Sequence, residues 1–439
     1  MHNDKIGVVG LGYVGLSLVA ALARVGYNVV GIDIDKKRIR RFQNTYEPDI
    51  YEPGLSETLK QCKTSIEFTS EYGVFAEKCD AIMITVGTPV DGHGRPRHEH
   101  LHRAVLNIGK RLRKGHIIVL KSTVALGTTE RVARKLEKLS GLKAGIDFYV
   151  GFCPERTIEG LALHELYTLP KIIGGINEES SRGIARVIEK LGGKVIVVSS
   201  PAVAELCKLT DNMYRALNIA FANELGCLCE ETGIDSHEVV SAVNDAYHRT
   251  HIYKPGLGAD GPCLGKDSLM ISYSAKKAGV PFPVVNASIE ANRASTCRIV
   301  KIVSGWLKEN KILIPRISFV GLAFKGFPET DDMRGSPARI IYAELKRKHR
   351  RMRASCYDPI VKEFFGLSVS KNLRDCLKGS HVVIFLTNHP SLMRIDAEGV
   401  LADTGRPLLV VDCWHSVTNS GLFSRGSDTT IFKIGDGNK

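Results

Sequence analysis

The stretch richest in chemistry is Pro255-Gly256-Leu257-Gly258-Ala259-Asp260-Gly261-Pro262-Cys263-Leu264-Gly265-Lys266-Asp267. Glycines this dense leave the backbone poorly covered, which a fold accepts where another molecule must approach closely. A cysteine there, with Lys266 and Asp267 beside it, suits a nucleophile, because nearby positive charge or a helix N-terminus lowers a thiol's pKa from about 8.5. The other ten cysteines read as small buried hydrophobes. Upstream, Lys208 and Asn212 are four residues apart in a helical pattern. They share a stripe offset from the apolar one and can project into a cleft. Cys153-Pro154-Glu155-Arg156-Thr157-Ile158-Glu159-Gly160 follows the strand-like Phe148-Tyr149-Val150. Its carboxylates thus stand at a strand's end, where α/β folds place their ligands.

A second constellation binds rather than reacts. Gly10-Leu11-Gly12-Tyr13-Val14-Gly15 directly follows the strand-like Lys5-Ile6-Gly7-Val8-Val9 and opens an apolar helix carrying Leu18, Val19 and Leu22. Asp33 ends the next strand, close to the spacing of a dinucleotide site. The glycines let the backbone reach a pyrophosphate at the positive helix end, and the carboxylate takes the adenosine ribose hydroxyls. Asp33 repels a ribose phosphate, which favours NAD over NADP; Lys36, Lys37 and Arg38 pull the other way. Gly321-Leu322-Ala323-Phe324-Lys325-Gly326 repeats the strand-and-turn rhythm without that glycine spacing. Its Lys325, and Arg334 beyond it, can grip a phosphate or carboxylate oxygen as fixed cations.

These residues need a scaffold, and the pattern supplies one. Strand-like bursts alternate with helical stretches at both ends of the chain, which predicts an α/β protein. It would have two Rossmann-like doubly wound parallel-sheet domains joined by a long helical connector. From Pro201 to about Thr232, Leu206, Leu209, Met213, Leu217 and Ala220 recur at three- and four-residue spacing. Ser200 can cap this helix, Pro201 suits its first turn and Gly233 its end. The expected boundaries are an N-terminal domain over 1–199, a central helical domain over 200–308 and a C-terminal domain over 309–439. A length of 439 residues agrees with about three domains. Hydrophobic residues at 44% and charged residues at 24% permit an ordinary core and exclude disordered, collagen-like and coiled-coil classes. No apolar run approaches the roughly 18 residues of a membrane span, and no secretory signal precedes the first strand. Eleven cysteines without a C-x-x-C pair speak for reduced thiols, a cytoplasmic setting and no structural metal. The net charge of +13 gathers partly in Lys346–Arg353, where no aromatic residue interleaves. A small anionic ligand therefore ranks above nucleic acid.

Taken in order, several motifs collectively resemble one family, the nucleotide-sugar 6-dehydrogenases (UDP-glucose, GDP-mannose and UDP-N-acetylhexosamine dehydrogenases). They are Gly10–Gly15, Val86-Gly87-Thr88-Pro89, Lys121-Ser122-Thr123, Pro154-Glu155, Glu205-Leu206-Cys207-Lys208-Leu209 with Asn212, Gly261-Pro262-Cys263 with Lys266-Asp267, and Gly321–Lys325 with Arg334-Gly335-Ser336-Pro337. The likeness runs from about Lys5 to about Trp414. It implies a four-electron oxidation at sugar C6, two hydrides passing to two NAD⁺ without release of the aldehyde, to give a uronic acid. Cys263 would capture the aldehyde as a thiohemiacetal and carry the thioester. Asp267 and Lys208 would hold a water as the first base, and Lys208 and Asn212 would stabilise oxyanions. Glu155, with Thr123 placing the water, would be the base of hydrolysis. The resemblance implies cofactor contacts at Gly10, Gly12, Tyr13, Val14, Gly15, Asp33, Arg38, Thr88, Thr123 and Lys266. It implies UDP-sugar contacts at Glu155, Arg156, Lys208, Asn212, Gly261, Lys325 and Arg334, with Arg249 lent by a partner subunit. A homodimer or higher homo-oligomer through the central helix goes with it.

Subgroup features divide. Cys153–Arg156 with Ile173-Gly174-Gly175, and Ala204–Asn212 continuing through Asn218–Glu224, look like the UDP-N-acetylmannosamine branch. Lys266 and Glu159-Gly160 look like the UDP-glucose branch. The longer helix match favours the acetylated sugar. Pro262, Gly265, Arg95-Pro96-Arg97-His98-Glu99-His100 and Asp412-Cys413-Trp414-His415 depart from the residues usual in the family. Two other readings compete. A single-hydride hydroxyacid dehydrogenase would need neither the cysteine nor a second nucleotide-like domain, and a binding scaffold would need none of the catalytic set.

Overall fold

Strand β1 (Lys5–Val9) is apolar at consecutive positions because cores lie on both faces of its sheet, the pattern of a central parallel strand. Around it stand β2 (Asn28–Ile32), β3 (Ile66–Thr69), β4 (Ala81–Ile84), β5 (Ile117–Leu120), β6 (Tyr149–Phe152), β7 (Lys171–Gly175) and β8 (Val195–Val197). Their order is β3-β2-β1-β4-β5-β6-β7-β8. The order reverses beside β1, so the carboxyl ends of β1 and β4 flank the crevice where doubly wound sheets bind ligands. The computed structural model describes residues 5–73, 78–91, 94–259, 261–425 and 428–437.

One pairing departs from an all-parallel sheet. β6 and β7 run antiparallel, with Gly151 opposite Gly175. Between them the chain makes only the loop from Cys153 to Gly160 and the seven-residue helix Ala162–Thr168. That helix is about 10 Å long. A crossover back to the far edge needs a longer connection, so the chain re-enters the sheet from the end it left.

The second sheet is smaller. Its parts, in chain order, are β9 (Arg316–Val320), β10 (Arg353–Tyr357), the ribbon β11 (Glu363–Phe364) with β12 (Leu367–Ser368), β13 (Val382–Phe385), β14 (Ile395–Asp396), β15 (Leu408–Asp412), β16 (Val417–Thr418) and β17 (Thr429–Lys433). Five of these form the order β10-β9-β13-β15-β17, every neighbour parallel. This is the other common doubly wound order, with its switch point between β9 and β13. The fold is thus two Rossmann-like sheets and a long connecting helix.

By compactness the chain divides into Met1–Asp211 with Leu269–Pro281, and Asn212–Ser268 with Phe282–Lys439. The connecting helix, Pro201–Thr232, belongs to both. Ser200 Oγ accepts from the Val203 N–H at 3.3 Å, and Gly233 leaves the helix at φ +74°. Leu209, Met213 and Ala220 are buried as the spacing predicts, but Leu206 is exposed. The buried stripe instead takes in Glu205, Lys208 and Asn212. The polar stripe expected to lie apart from the apolar one is therefore itself buried, which a fold sustains only where polar atoms find partners.

Candidate active site

In the first unit, each glycine of the turn after β1 answers a different demand. Gly10 has φ +95°, and a side chain there would meet the Val86 backbone at 3.0 Å. At Gly15 a Cβ would lie 1.8 Å from the Gly10 carbonyl oxygen, so only glycine lets the helix Tyr13–Arg24 pack this close to the strand. Gly12 faces open space, with nothing within 4 Å of an added Cβ, and no side chain caps the helix behind it. A helix N-terminus without a side-chain cap, beside open space, fits a pyrophosphate. Tyr13 and Val14 open that helix. Asp33, at the end of β2, accepts from the Leu11 N–H at 2.9 Å. Arg38 reaches the same carboxylate at 3.3 Å and donates to the Leu11 carbonyl at 2.8 Å. Its other partner is Asp49, at 2.7 Å through Nη2. Bonding to Asp49, opposed by burial, holds the guanidinium pKa above its ordinary value.

At the carboxyl ends of the middle strands, Thr88 Oγ1 donates to the Thr123 carbonyl at 2.6 Å. Glu155, just beyond β6, is 9% exposed, and its Oε2 lies 3.4 Å from the ammonium of Lys121, which is 1% exposed. Burial pushes the Glu155 carboxyl up, but Lys121 and the N–H groups of Thr157 and Arg156 outweigh it and hold the group below the ordinary range. Arg156 pairs with Asp211 at 2.9 Å. Lys208 is buried on the connecting helix, one turn before Asn212.

The second unit holds the cysteine. Cys263 is exposed and immediately precedes the helix Leu264–Lys277; its carbonyl accepts from the Asp267 N–H at 2.9 Å. It therefore stands at the N-cap, where the partial positive charge of a helix end meets an anion. Asp267, 1% exposed, is gripped on both oxygens: Asn212 Nδ2 donates to Oδ2 at 2.6 Å, and Lys266 Nζ lies 2.8 Å from Oδ1. Lys266, expected at the cofactor, lies here beside this carboxylate. The Gly261 N–H donates to the Gly335 carbonyl at 2.9 Å, which ties the cysteine loop to the turn carrying Arg334. Arg334 is folded onto Asp332, Nη2 to Oδ2 at 2.6 Å, and Lys325 donates to the Pro328 carbonyl. Arg249 is exposed beside Tyr247. Asn212, Lys266, Asp267 and Cys263 are brought together here, as are Gly261 and the Arg334 turn; Arg249 joins neither group.

Three partners escaped sequence reasoning. Lys121 stood inside a quoted motif without a role. Glu205, fully buried, accepts from the N–H groups of Gly127 and Thr129 and from the Thr129 hydroxyl. Asp358 repeats in the second unit what Asp33 does in the first, taking the Leu322 N–H at 2.6 Å. Its place at the end of a strand before a proline was the available signal. Among the described residues no three His, Cys, Asp or Glu side chains converge to hold a metal, and no helix is long and apolar enough to cross a membrane.

Comparison with known proteins follows this geometry closely. Residues 4–192 match the NAD binding domain of the UDP-glucose/GDP-mannose dehydrogenase family, 202–294 its central domain, and 318–419 its UDP binding domain. A UDP-N-acetyl-D-mannosamine dehydrogenase of Pyrococcus horikoshii is 30% identical over 399 residues, 90% of this chain and 92% of the relative. The UDP-glucose 6-dehydrogenase TuaD of Bacillus subtilis is 33% identical over 363 residues, 81% of this chain and 76% of its own. A solved UDP-D-ManNAc dehydrogenase structure from Pyrococcus horikoshii superposes with a TM-score of 0.88 at 28% identity, covering 99% of this chain and all of that one. With all three family domains present in order, the chain belongs to the UDP-glucose/GDP-mannose dehydrogenase family and is an NAD-dependent UDP-sugar dehydrogenase.

Proposed function

We propose that the chain oxidises UDP-N-acetyl-D-mannosamine at C6 to the uronic acid, through a covalent bond to Cys263. The observation that carries this reading is an exposed thiol at a helix N-cap, one turn before a buried carboxylate clamped by Asn212 and Lys266. NAD, when bound, supplies the acceptor for each of the two hydrides. In the first oxidation Asp267 and Lys208 hold the water that takes the C6 hydroxyl proton. Cys263 Sγ then bonds to the aldehyde carbon, and donors from Asn212 and Lys208 meet the oxyanion that forms. Loss of the second hydride leaves a thioester, which water hydrolyses as Glu155 takes its proton and the thiolate departs. Thr123 places that water. Arg156, Gly261, Lys325 and Arg334 bind the substrate, Arg249 is lent by a second subunit, and Thr88 and Lys266 contact the cofactor.

The acetylated sugar is favoured by the relatives named for it, among them the Pyrococcus enzyme. UDP-glucose is the second reading, favoured by the 33% identity to TuaD. Cysteines outside any disulfide support a reducing, cytoplasmic setting.

The test is NADH yield per mole across UDP-N-acetylmannosamine, UDP-N-acetylglucosamine, UDP-glucose and GDP-mannose. Two NADH per UDP-N-acetylmannosamine, with uronate formation abolished in C263A, is the expected result. Preferred turnover of UDP-glucose transfers the assignment to that sugar. One NADH per sugar with full activity in C263A overturns the covalent mechanism in favour of single-hydride chemistry, and binding without turnover indicates a scaffold.

A further inference from the structure

We infer that Lys121 is a positioning residue for the hydrolytic half-reaction: it holds Glu155 as a carboxylate with one oxygen left to receive the proton of water. The inference rests on the reading of Glu155 as the hydrolytic base.

The run Ile117-Ile118-Val119-Leu120 carries the chain through the middle of the first sheet and delivers Lys121 at its carboxyl end, almost wholly out of water. A buried ammonium persists only where it is paired. Its Nζ lies 3.4 Å from Glu155 Oε2 and 3.8 Å from Cys153 Sγ. The two strand ends are also stitched by backbone, since the Glu155 N–H donates to the Lys121 carbonyl at 3.3 Å. The two carboxylate oxygens have different surroundings. Oε1 accepts from the N–H groups of Arg156 at 2.9 Å and Thr157 at 3.1 Å. Oε2 accepts no hydrogen bond among the described residues and lies beside the ammonium.

Other charges facing this pair are otherwise engaged. Lys171, at the start of β7, donates to the Leu169 carbonyl at 2.6 Å, and Arg156 is held by Asp211. Cys153 is fully buried, and burial pushes its thiol up, so it stays neutral. A buried carboxyl without a cation takes up a proton near neutral pH and can no longer accept one from water. In the step itself, the water oxygen bonds to the thioester carbon, the C–S bond breaks, the sulfur leaves as the Cys263 thiolate and the proton goes to Glu155 Oε2. Lys121 keeps its proton throughout.

The experiment compares wild type, E155Q, K121M and K121Q by the pH profile of uronate release and by intact mass of the thioester adduct. Folding is checked by thermal melting. E155Q should give a burst of two NADH per site, then stall with the adduct in place. K121M and K121Q should stall in the same way at pH 7, with release down about 10–100-fold and recovering as pH rises. Wild-type release should stay level down to about pH 5. An E155Q enzyme that hydrolyses normally removes the reading of Glu155 as base. Adduct in E155Q, but none in folded K121M or K121Q with a wild-type pH profile, removes the role of Lys121 alone. Should neither lysine variant fold, the wild-type profile decides: a level rate down to about pH 5 supports the inference, and an acid limb at or above about pH 6.5 overturns it.

Discussion

Gly12 and Gly15 stand three residues apart and answer to different forces. A methyl group at Gly15 would collide with the Gly10 carbonyl at 1.8 Å and with Thr85 Oγ1 at 2.7 Å, so G15A should lose about 2–4 kcal/mol of stability in a urea titration. A methyl group at Gly12 meets nothing, and its φ of −71° suits any residue. G12A should therefore melt like the wild type, yet bind NAD at least about 10-fold more weakly by calorimetric titration, because the methyl stands where the pyrophosphate must approach. Both variants failing to fold, or both binding normally, would contradict this division of roles. The roles of these glycines were legible in the sequence because the tightest contact, Gly15 against the Gly10 carbonyl, lies within the turn itself. Those of Lys121 and Glu205 were not, since their partners lie 32 and 76 residues away and only the folded sheet brings them near.

Among the elements, the connecting helix carries the sharpest case. Its Glu205 replaces solvent at the start of another helix, Thr128–Ser140, whose N-cap is Gly127 with no side-chain bond of its own. Burial pushes the Glu205 carboxyl up despite the three hydrogen bonds it accepts. Removing the acceptor leaves buried N–H groups orphaned, so E205A should cost about 2–4 kcal/mol by urea titration, while E205Q, which keeps one acceptor oxygen, should cost less. Equal losses in the two would show that packing, not capping, is at stake. The same helix exposes Tyr214, Phe221 and Leu228 at seven-residue spacing, one apolar line along its surface. This supports the homodimer or higher homo-oligomer that the family resemblance implies, and F221E should then sediment as a smaller species than the wild type. The alternation of strands and helices was legible because periodicity is local. The direction of β7 was not, because it depends on how far the intervening connection can reach.

At the scale of the whole molecule, each unit holds a histidine whose pKa lies far below its ordinary value, His116 buried in the first and His237 half-buried in the second. His116, fully buried in the first, is pushed down to about 4 by burial and then by Arg113. His237, in the second, is pushed down to about 4 by burial and then by His415, whose ring stacks on it at 3.8 Å. An unfolded histidine binds its proton near pH 6.5. The folded values lie below that, so the unfolded chain takes up protons first as the solution is acidified. Stability is then intact above about pH 6.5 and drains away as pH falls towards 4. After allowance for solvent screening, each ring should account for about 1–2 kcal/mol of the loss. H116N offers an amide oxygen where His116 Nδ1 accepts from the Arg113 N–H at 3.2 Å, and it removes the titrating group. Calorimetric scans at pH 7.5 and 4.5 should show a smaller acid shift in H116N and in H237Q than in the wild type, and a smaller one still when the two are combined. The effects should add, because the two rings belong to separate units and share no partner among the described residues. Unchanged acid shifts in both variants would mean that the destabilising protons are taken up by other groups.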